Sequence, residues 1–528
     1  HLSGTVKLLM YRAACICYNK SNVPELLAVA RESTNPFSSS AIELIDSISS
    51  LTPEILKSNI MELISEVCEE NVSVVIVSDL RAIVNFVRKF PTVVNDKLMQ
   101  ESSQRSQSDL TFYEKLVRLA TKGSPLEARY SVQIIANANF SLRESYLQDI
   151  LEGIWPLSDD ARELSTALSS ISEIFLADIL LLEPKTKELS SFLASKILLK
   201  NNFIGERQSE TEATDIWISD DQLLAEEQSC YIKLLALRCL TNWLVAVKSD
   251  TQSDLTSLSE PIFKLLRSII VNGGEIVPKK DSTYPTPMAY QSRLRLAAGL
   301  MLLRLAECES YDGQLNESVV QELVFLVQDE NKNVRGLFLN SLTEKLSAHT
   351  IPKKFVPLVM FYAHEPDESI QRKAATWIRS TFNRELDLHD SWNDLLFETS
   401  YVRLIHMLSY HSEFKNIYQE YISTEENTDD RSQAFYNLSA FTTAYLSFAV
   451  GIIATADNIS LLFYLAQRVK QYQSISFESG TEDSDRQHTE SKEKDERLYF
   501  VSDLAQLVVK QIAEMRNCLL YTSPSPRD

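Results

Sequence analysis

The stretch LVFLVQDENKNVRGLFLNSLTEKL (323–346) places an apolar segment, an acidic turn and a second apolar segment in succession. The same order recurs in LVMFYAHEPDESIQRKAATWIRSTF (358–382), and an apolar helix of the same kind occurs in RLRLAAGLMLLRLAE (293–307). Apolar residues at this spacing predict pairs of amphipathic helices joined by the acidic turn.

The copies follow one another at nearly constant spacing. Aligning Leu294, Val334 and Ile370 gives periods of 40 and 36 residues. This spacing is close to the roughly 40 to 47 residues of solenoids built from helical pairs. One such pair cannot bury its apolar face by itself, so neighbouring pairs must stack into a continuous core.

A fourth copy lies far upstream, in LVRLATKGSPLEARYSVQIIANA (116–138). There Ala128 and Arg129 take the places of Val334 and Arg335. The repeat therefore spans much of the chain and predicts an all-α fold, an elongated and curved solenoid of HEAT repeats. In such a fold we expect function to lie on a surface and not in a pocket.

Composition favours the same class. The 528 residues contain only 11 glycines and 16 prolines, too few for the turns of an all-β or α/β protein of this size. Hydrophobic residues make up 44% and charged residues 23%, enough for a large core with a charged surface.

The net charge of −20 argues against sequence-independent binding to DNA, since that affinity comes from basic side chains on phosphates. The local basic pairs Lys279–Lys280 and Lys353–Lys354 are interpreted as solvated turns. We expect no sequence-specific DNA binding either, and an acidic solenoid is suited to basic segments of other proteins.

The seven cysteines form an odd set without a CxxC pair, which indicates reduced thiols in an intracellular protein. The spacing of Cys15 and Cys17 makes a shared metal improbable.

The longest uncharged run, 432–456, reaches the roughly 20 residues of a membrane span. It carries polar side chains, among them Gln433, Asn437, Ser439, Thr442, Thr443 and Ser447, and no basic cluster flanks it. The run therefore predicts a helix buried on several sides and no membrane span, and we also expect no signal peptide.

Composition also divides the chain. We predict a HEAT-repeat solenoid over 1–473 and a disordered acidic loop over 474–496, where charge and serine replace nearly all apolar residues. An amphipathic helix over 497–517 completes the solenoid. Residues 518–528 break the helical pattern and are interpreted as a non-native tail.

No local signature of catalysis occurs, so no catalytic, cofactor-binding or metal-binding residue is predicted and no cofactor is expected. His364, His406 and His411 are assigned packing or surface roles. Asp329 and Glu365 occupy equivalent turns. They could line a groove, but the favoured interpretation is that they cap the next helix while arginines such as Arg335 pair with an acid of the neighbouring repeat.

Tryptophans are predicted to be core residues, and any exposed one would mark a partner surface. Partner-binding residues are otherwise unknown from the sequence. The tryptophans considered are Trp217, Trp243, Trp377 and Trp392.

Several collinear passages resemble the precocious-dissociation-of-sisters family of sister chromatid cohesion regulators, which are large HEAT-repeat proteins. The resemblance runs from about Asn35 to Asn517 and corresponds to the middle and later part of a fungal member. The passages are STNPF (33–37), SPLEARYSVQIIA (124–136), DIWISDDQLLAEEQSCYIKLLALRCLTNWLVAVK (215–248), SRLRLAAGLMLLRLAE (292–307), VQDENKNVR (327–335), AHEPDESIQRKAATWIRS (363–380) and ERLYFVSDLA (496–505).

The resemblance implies a non-enzymatic scaffold in the nucleus, on chromatin. It implies binding to cohesin through its kleisin subunit, and to the wings-apart-like releasing factor and the cohesin acetyltransferase. It carries over no site residue, because the matched passages are repeat packing segments. The alternatives are a nuclear transport receptor or a trafficking adaptor with the same acidic solenoid, and, less favoured, an enzyme of unrecognised class.

Overall fold

The computed structural model describes residues 19–32, 34–69, 73–96, 111–199, 217–225, 228–247, 252–276, 286–388, 395–425, 429–471, 484–518 and 520. Within these ranges the chain is helical and has no strand; an isolated bridge joins Asn95 to Asn139. The all-α helical-repeat fold predicted from the sequence is therefore confirmed. The elongated, curved overall shape stays a prediction.

By its internal contacts the chain divides into two compact units, a division that the sequence analysis did not anticipate within 1–473. The first unit comprises His1–Thr211 and Ser219–Asp250. Its α-helices are α1 Val23–Arg31, α2 Ser38–Leu51, α3 Ile60–Cys68, α4 Ser73–Lys89, α5 Phe112–Lys122, α6 Pro125–Asn137, α7 Arg143–Ile154, α8 Ala161–Ala177, α9 Ile179–Leu182, α10 Thr186–Phe192, α11 Asp220–Ala225 and α12 Gln228–Ala246.

The second unit comprises Glu212–Ile218 and Thr251–Asp528. Short 3₁₀ turns connect several helices in each unit. The α-helices of the second unit are α13 Gln252–Val271, α14 Met288–Leu305, α15 Glu317–Glu322, α16 Val324–Val327, α17 Lys332–Ser347, α18 Pro357–Met360, α19 Glu368–Leu388, α20 Leu396–Ser409, α21 Ser412–Ser423, α22 Asp429–Ile453, α23 Ile459–Arg468 and α24 Ser484–Met515.

Side-chain caps fix where repeat helices begin. At α6 the Ser124 hydroxyl accepts the Glu127 N–H, and the Glu127 carboxylate accepts the Ser124 N–H at 2.6 Å, with Pro125 in the first turn. At α17 the Asn331 side chain accepts the Asn333 N–H at 2.8 Å. Each cap satisfies a donor that the first helical turn would leave unpaired.

The apolar stripes bury the core. The periodicity of the repeat predicts nine buried positions, and burial is confirmed at seven of them. Leu300 is only partly buried, and the prediction for Leu337 is wrong, since that side chain is 42% exposed. The buried arc of α17 follows Val334, Phe338 and Leu342 at steps of four, which leaves Leu337 on the opposite side. The confirmed positions are Leu296, Leu303, Val334, Leu342, Ile370, Ala374 and Ile378.

The predicted acidic loop over 474–496 needs correction. Its first part, 474–483, lies outside the described residues. From Ser484 onward the segment is the beginning of α24, not a disordered loop. Glu, Lys and Arg are good helix formers, and a helix anchored by packing downstream propagates into polar residues without a new nucleation step.

One helix in the described part of the chain, α22, is long and apolar enough to cross a membrane by length and composition alone. Within the second unit it packs against α21, α24, α19 and α20, burying residues from Ala434 to Ile453. This burial agrees with the interpretation of the run as a packed helix. Only one face is covered, however, and the opposite face is exposed at Tyr436, Ala440 and Ser447.

Candidate functional site

A buried ion pair joins consecutive repeats in the second unit. Arg335 on α17 donates from Nε to Oε2 of Glu365 at 2.7 Å and from Nη2 to Oε1 at 2.9 Å. The arginine side chain is 10% exposed and the glutamate side chain 1%. Glu365 also accepts the Asp367 N–H at 3.0 Å, and Arg335 Nη1 donates to the carbonyl of Asp329 at 2.7 Å.

The preceding repeat contains the same kind of ion pair. Arg295 on α14 donates from Nε and Nη2 to the Asp329 carboxylate at 2.6 and 2.9 Å, and Asp329 accepts the Asn331 N–H at 2.8 Å. The next repeat ends the series, because Gln371 stands at the arginine position and donates to the Ala363 carbonyl at 2.7 Å.

We call these two pairs, Arg295–Asp329 and Arg335–Glu365, the arginine ladder. As predicted from the sequence, each arginine pairs with an acid of the neighbouring repeat. The predicted capping role of Asp329 and Glu365 is wrong, because the side chains of Asn331 and Asp367 accept the first N–H groups of α17 and α19. Removing one member of such a buried, bidentate pair leaves an unpaired charge and is strongly destabilising. Because all four groups are occupied within the repeats, the ladder fixes repeat register and does not form a binding groove.

The first unit contains a related pairing that sequence reasoning missed. Glu173 on α8 is 5% exposed and forms ion pairs with Arg238 and, at 3.5 Å, with Arg129; it also accepts from Gln133 at 2.8 Å. Burial and the neighbouring Arg238 lower the pKa of Arg129. Arg129 is the repeat equivalent of Arg335, but Glu173 lies 44 residues after Arg129, whereas each ladder acid lies 30 to 34 residues after its arginine. The ladder spacing therefore does not point to Glu173.

The histidines assigned to packing lie among aromatic rings. His411 is 3% exposed, and its ring lies near those of Phe361, Phe441 and Tyr445. Its Nε2 is 2.8 Å from the side-chain oxygen of Gln328, and its Nδ1 accepts the Glu413 N–H at 3.2 Å, which requires a neutral ring. Burial, assisted by the nearby His364, lowers the pKa of His411 to about 4.

His364 and His406 also lie beside aromatic rings. The ring of His364 meets the Tyr445 ring edge-on at 4.5 Å and stacks on Phe441 at 5.6 Å. Burial lowers the pKa of His406, whose ring lies 4.7 Å from that of Tyr410. None of these contacts places a histidine beside a nucleophile in the described residues.

Each tryptophan in the described ranges is partly buried, and Trp392 lies outside them. Arg293 stacks on Trp217 with its guanidinium carbon 4.5 Å from the ring centroid, and the Trp377 indole donates to Ser347 at 2.9 Å. Trp243 and Phe175 line the same small cavity. These rings therefore serve mainly in packing, and none is an exposed anchor.

Cysteines in the described residues are free thiols, and Cys15 and Cys17 lie outside those ranges. Burial raises the pKa of Cys68 to about 11 and that of Cys239 still further. Both thiols thus behave as small apolar groups and not as nucleophiles.

No cluster of three potential metal ligands occurs among the described residues. A cavity of about 550 Å³ opens beside α7, lined mainly by residues 140–145 and Asp178. Two of its three charged groups are occupied locally: Asp178 accepts the Leu180 N–H at 3.0 Å, and Arg143 donates to the Ala177 carbonyl at 2.8 Å. The cavity therefore offers no converging set of reactive groups.

A family model described as "Sister chromatid cohesion protein PDS5 protein" matches residues 1–526 of the chain. The chain belongs to this family. The sister chromatid cohesion protein PDS5 of Saccharomyces cerevisiae is 28% identical over 98% of the chain, and that of Schizosaccharomyces pombe is 26% identical over 98%. An engineered protein of known structure covers 93% of the chain with a TM-score of 0.27 and 12% identity, values too low to bear on the fold.

The chain spans about two fifths of the length of these relatives, 39% of the first and 38% of the second. Membership in the cohesion family confirms the resemblance found in the sequence and its fungal character. The match covers both units, so the arginine ladder and the three histidines His364, His406 and His411 lie inside the region shared with the family.

Proposed function

We propose that this chain is part of a non-enzymatic scaffold that regulates sister chromatid cohesion by associating with the cohesin complex. The observation that carries the proposal is the family match over residues 1–526. On this proposal the protein acts in the nucleus on chromatin. Its partners are the kleisin subunit of cohesin, the wings-apart-like releasing factor and the cohesin acetyltransferase.

The geometry is consistent with a scaffold. In the described part of the chain, the buried charged groups Asp329, Arg335, Glu365 and Glu173 are committed to ion pairs, and each of them holds a neighbouring helix. Side chains committed to such pairs maintain shape and are not available for a substrate. What is left for partners is the outer surface of the helices.

The net charge also sets the chemistry of the partner. A chain with charge −20 attracts basic segments and repels acidic ones over roughly a Debye length. We therefore expect the bound kleisin segment to be basic or mixed in charge. Added salt should slow its association more than it accelerates its dissociation.

Affinity purification of the full-length protein, followed by mass spectrometry, tests this proposal. Recovery of cohesin subunits above the level of a tag-only control is the expected result. Recovery of transport cargo or vesicle coat proteins without any cohesin subunit would instead favour a transport receptor or a trafficking adaptor, and would end the proposal.

A further inference from the structure

Three helices of the second unit bring a group of aromatic rings together. Phe414 and Tyr418 on α21 are buried, and both rings lie near Phe500 of α24, with centroids 6.3 and 6.1 Å apart. Phe435 of α22 meets Phe500 edge-on at 6.0 Å and lies 5.7 Å from Tyr421. The rings form one continuous layer from the core to the surface.

At the surface this layer is left uncovered. Phe435 is 45% exposed, Tyr436 beside it 66%, and Ile422 of α21 41%. We call these three residues, with Tyr421, the aromatic patch. Single exposed apolar residues are ordinary, but adjacent aromatic side chains resting on a packed layer are typical of protein-binding surfaces.

Carboxylates predominate on the segments that carry the aromatic patch, and we call them the acidic rim. The described residues 412–425, 429–436 and 493–500 carry eight acidic and four basic side chains. Glu496 and Glu493 act on Tyr418, whose pKa is raised mainly by burial and then by these charges. Two of the basic groups are engaged locally: Arg431 lies 4.8 Å over the Tyr421 ring and donates to the Thr424 carbonyl, and Arg497 is buried.

The patch continues along an uncharged helix face. From Ser432 to Ile453, α22 has no charged residue, and its outward side carries Tyr436, Ala440, Ser447 and Gly451. A Cβ added at Gly451 would meet nothing within 4 Å. Small side chains on an open face allow another helix to approach closely, and such a helix could extend from the aromatic patch along α22.

We propose that the aromatic patch and the outward face of α22 dock a basic amphipathic helix of a partner protein. The apolar face of that helix packs on Phe435 and Tyr436, while its lysines or arginines face the acidic rim. Helices recognised in this way present anchors three and four residues apart. The inference goes beyond the proposed function, because it names a surface and its chemistry without requiring that the partner be a cohesin subunit.

The 528-residue chain can be tested with a fluorescein-labelled helical peptide of three heptads, with leucine at two positions of each heptad and lysine elsewhere. The matched peptide has glutamate in place of lysine. Tyr436→Ala and Phe435→Ala remove the anchors, and Glu420→Lys reverses one exposed charge on α21, the helix that carries Tyr421 and Ile422. Phe325→Ala is the control, because Phe325 is 46% exposed on α16, nearly the same as Phe435.

Fluorescence anisotropy should show saturable binding of the lysine peptide and at least tenfold weaker binding of the glutamate peptide. Tyr436→Ala should weaken binding roughly tenfold or more, as expected for an aromatic anchor. Glu420→Lys should slow association and flatten its dependence on salt. Phe325→Ala should change the affinity less than about twofold, and Tyr436→Ala should leave the helical circular dichroism unchanged, since its ring is mostly in solvent.

Other outcomes would overturn the proposal. Equal binding of the two peptides, or unchanged binding by Tyr436→Ala and Glu420→Lys, would show that the patch is not the docking surface. Patch-dependent binding to phosphatidylcholine vesicles in place of the peptide would show a lipid occupant. Sedimentation as a dimer that Tyr436→Ala dissociates would show a second copy of the chain there. None of these results depends on whether cohesin is recovered with the full-length protein.

Discussion

Replacing Arg335 with methionine tests the arginine ladder most sharply. The substitution removes both donors to the Glu365 carboxylate and the Nη1 bonds to the carbonyls of Asp329 and Glu330, at 2.7 and 3.1 Å. Glu365 then keeps only the Asp367 N–H, with a side chain that is 1% exposed. An unpaired buried charge of this kind costs about 3 to 5 kcal/mol of unfolding free energy.

Urea denaturation followed by circular dichroism at 222 nm measures this cost through the midpoint and slope of the transition. Arg372→Met is the matched control, because Arg372 pairs with Glu368 on the same kind of helix but both side chains are more than three quarters exposed. An exposed pair of this type contributes about 0.3 to 0.5 kcal/mol. The double variant Arg335→Met with Glu365→Leu removes both charges and should recover part of the loss. A loss for Arg335→Met below about 1 kcal/mol, no larger than that of Arg372→Met, would refute the role assigned to the ladder.

Three further predictions concern the core and its titrating groups. Leu303→Asp should lower the unfolding free energy by about 3 kcal/mol or more in a urea titration, because it buries a charge. Leu337→Asp, on the exposed side of α17, should lower it by less than about 1 kcal/mol, and equal losses would contradict the assigned faces. The pKa of His411 in the folded state is about 4, below its ordinary value of 6.5, so the unfolded state binds a proton that the folded state does not. Stability should therefore fall as the pH drops from about 6.5 to 4. His411→Gln should reduce this fall, measured as the difference between thermal melts at pH 7 and pH 5. Burial raises the pKa of Asp79 to about 7, so the folded state is less stable when this carboxyl group is ionised. Asp79→Asn should therefore raise the unfolding free energy at pH 8 by more than about 1 kcal/mol and have little effect at pH 4. A loss of stability at pH 8 would show that the carboxylate is needed.

The repeat and its ladder could be predicted from the sequence because both depend on local spacing. Arg335 and Glu365 occupy fixed places in consecutive copies, and stacking of the repeats makes their separation in space nearly constant. Glu173 was missed because the repeat around Arg129 has a longer interval to its acid, 44 residues against 30 or 34. Knowing the period is sufficient only where the repeats are regular.

Burial of individual side chains was harder to predict. Leu337 has the same residue type as its buried neighbours, and a difference of one position turns it to the other side of α17. The uncharged run from Ser432 to Ala456 indicated a helix covered on several sides, yet Tyr436 and Phe435 are exposed because neighbouring helices cover one face of α22. Which face is covered depends on tertiary packing, and hydropathy averaged along the run does not report it.

At the beginning of α24 the composition predicts disorder, but the chain is helical. The segment that follows Ser484 contains few apolar residues, which usually indicates disorder. It continues directly, however, into the packed stripe that includes Val501, Ala505 and Val509. The apolar downstream part supplies the helix nucleus, so the polar part needs only propagation. Partner-binding residues could not be predicted, because whether an exposed aromatic group can bind a partner depends on neighbours distant in sequence.

The central claim is that this acidic helical scaffold associates with cohesin through its kleisin subunit. Biolayer interferometry of the purified full-length protein on immobilised kleisin, at a series of salt concentrations, tests that claim most directly. The account predicts saturable binding, with an association rate that falls steeply with salt and a dissociation rate that changes little. Absence of saturable binding at low and physiological salt, with a kleisin that still binds its other cohesin partners, would contradict it.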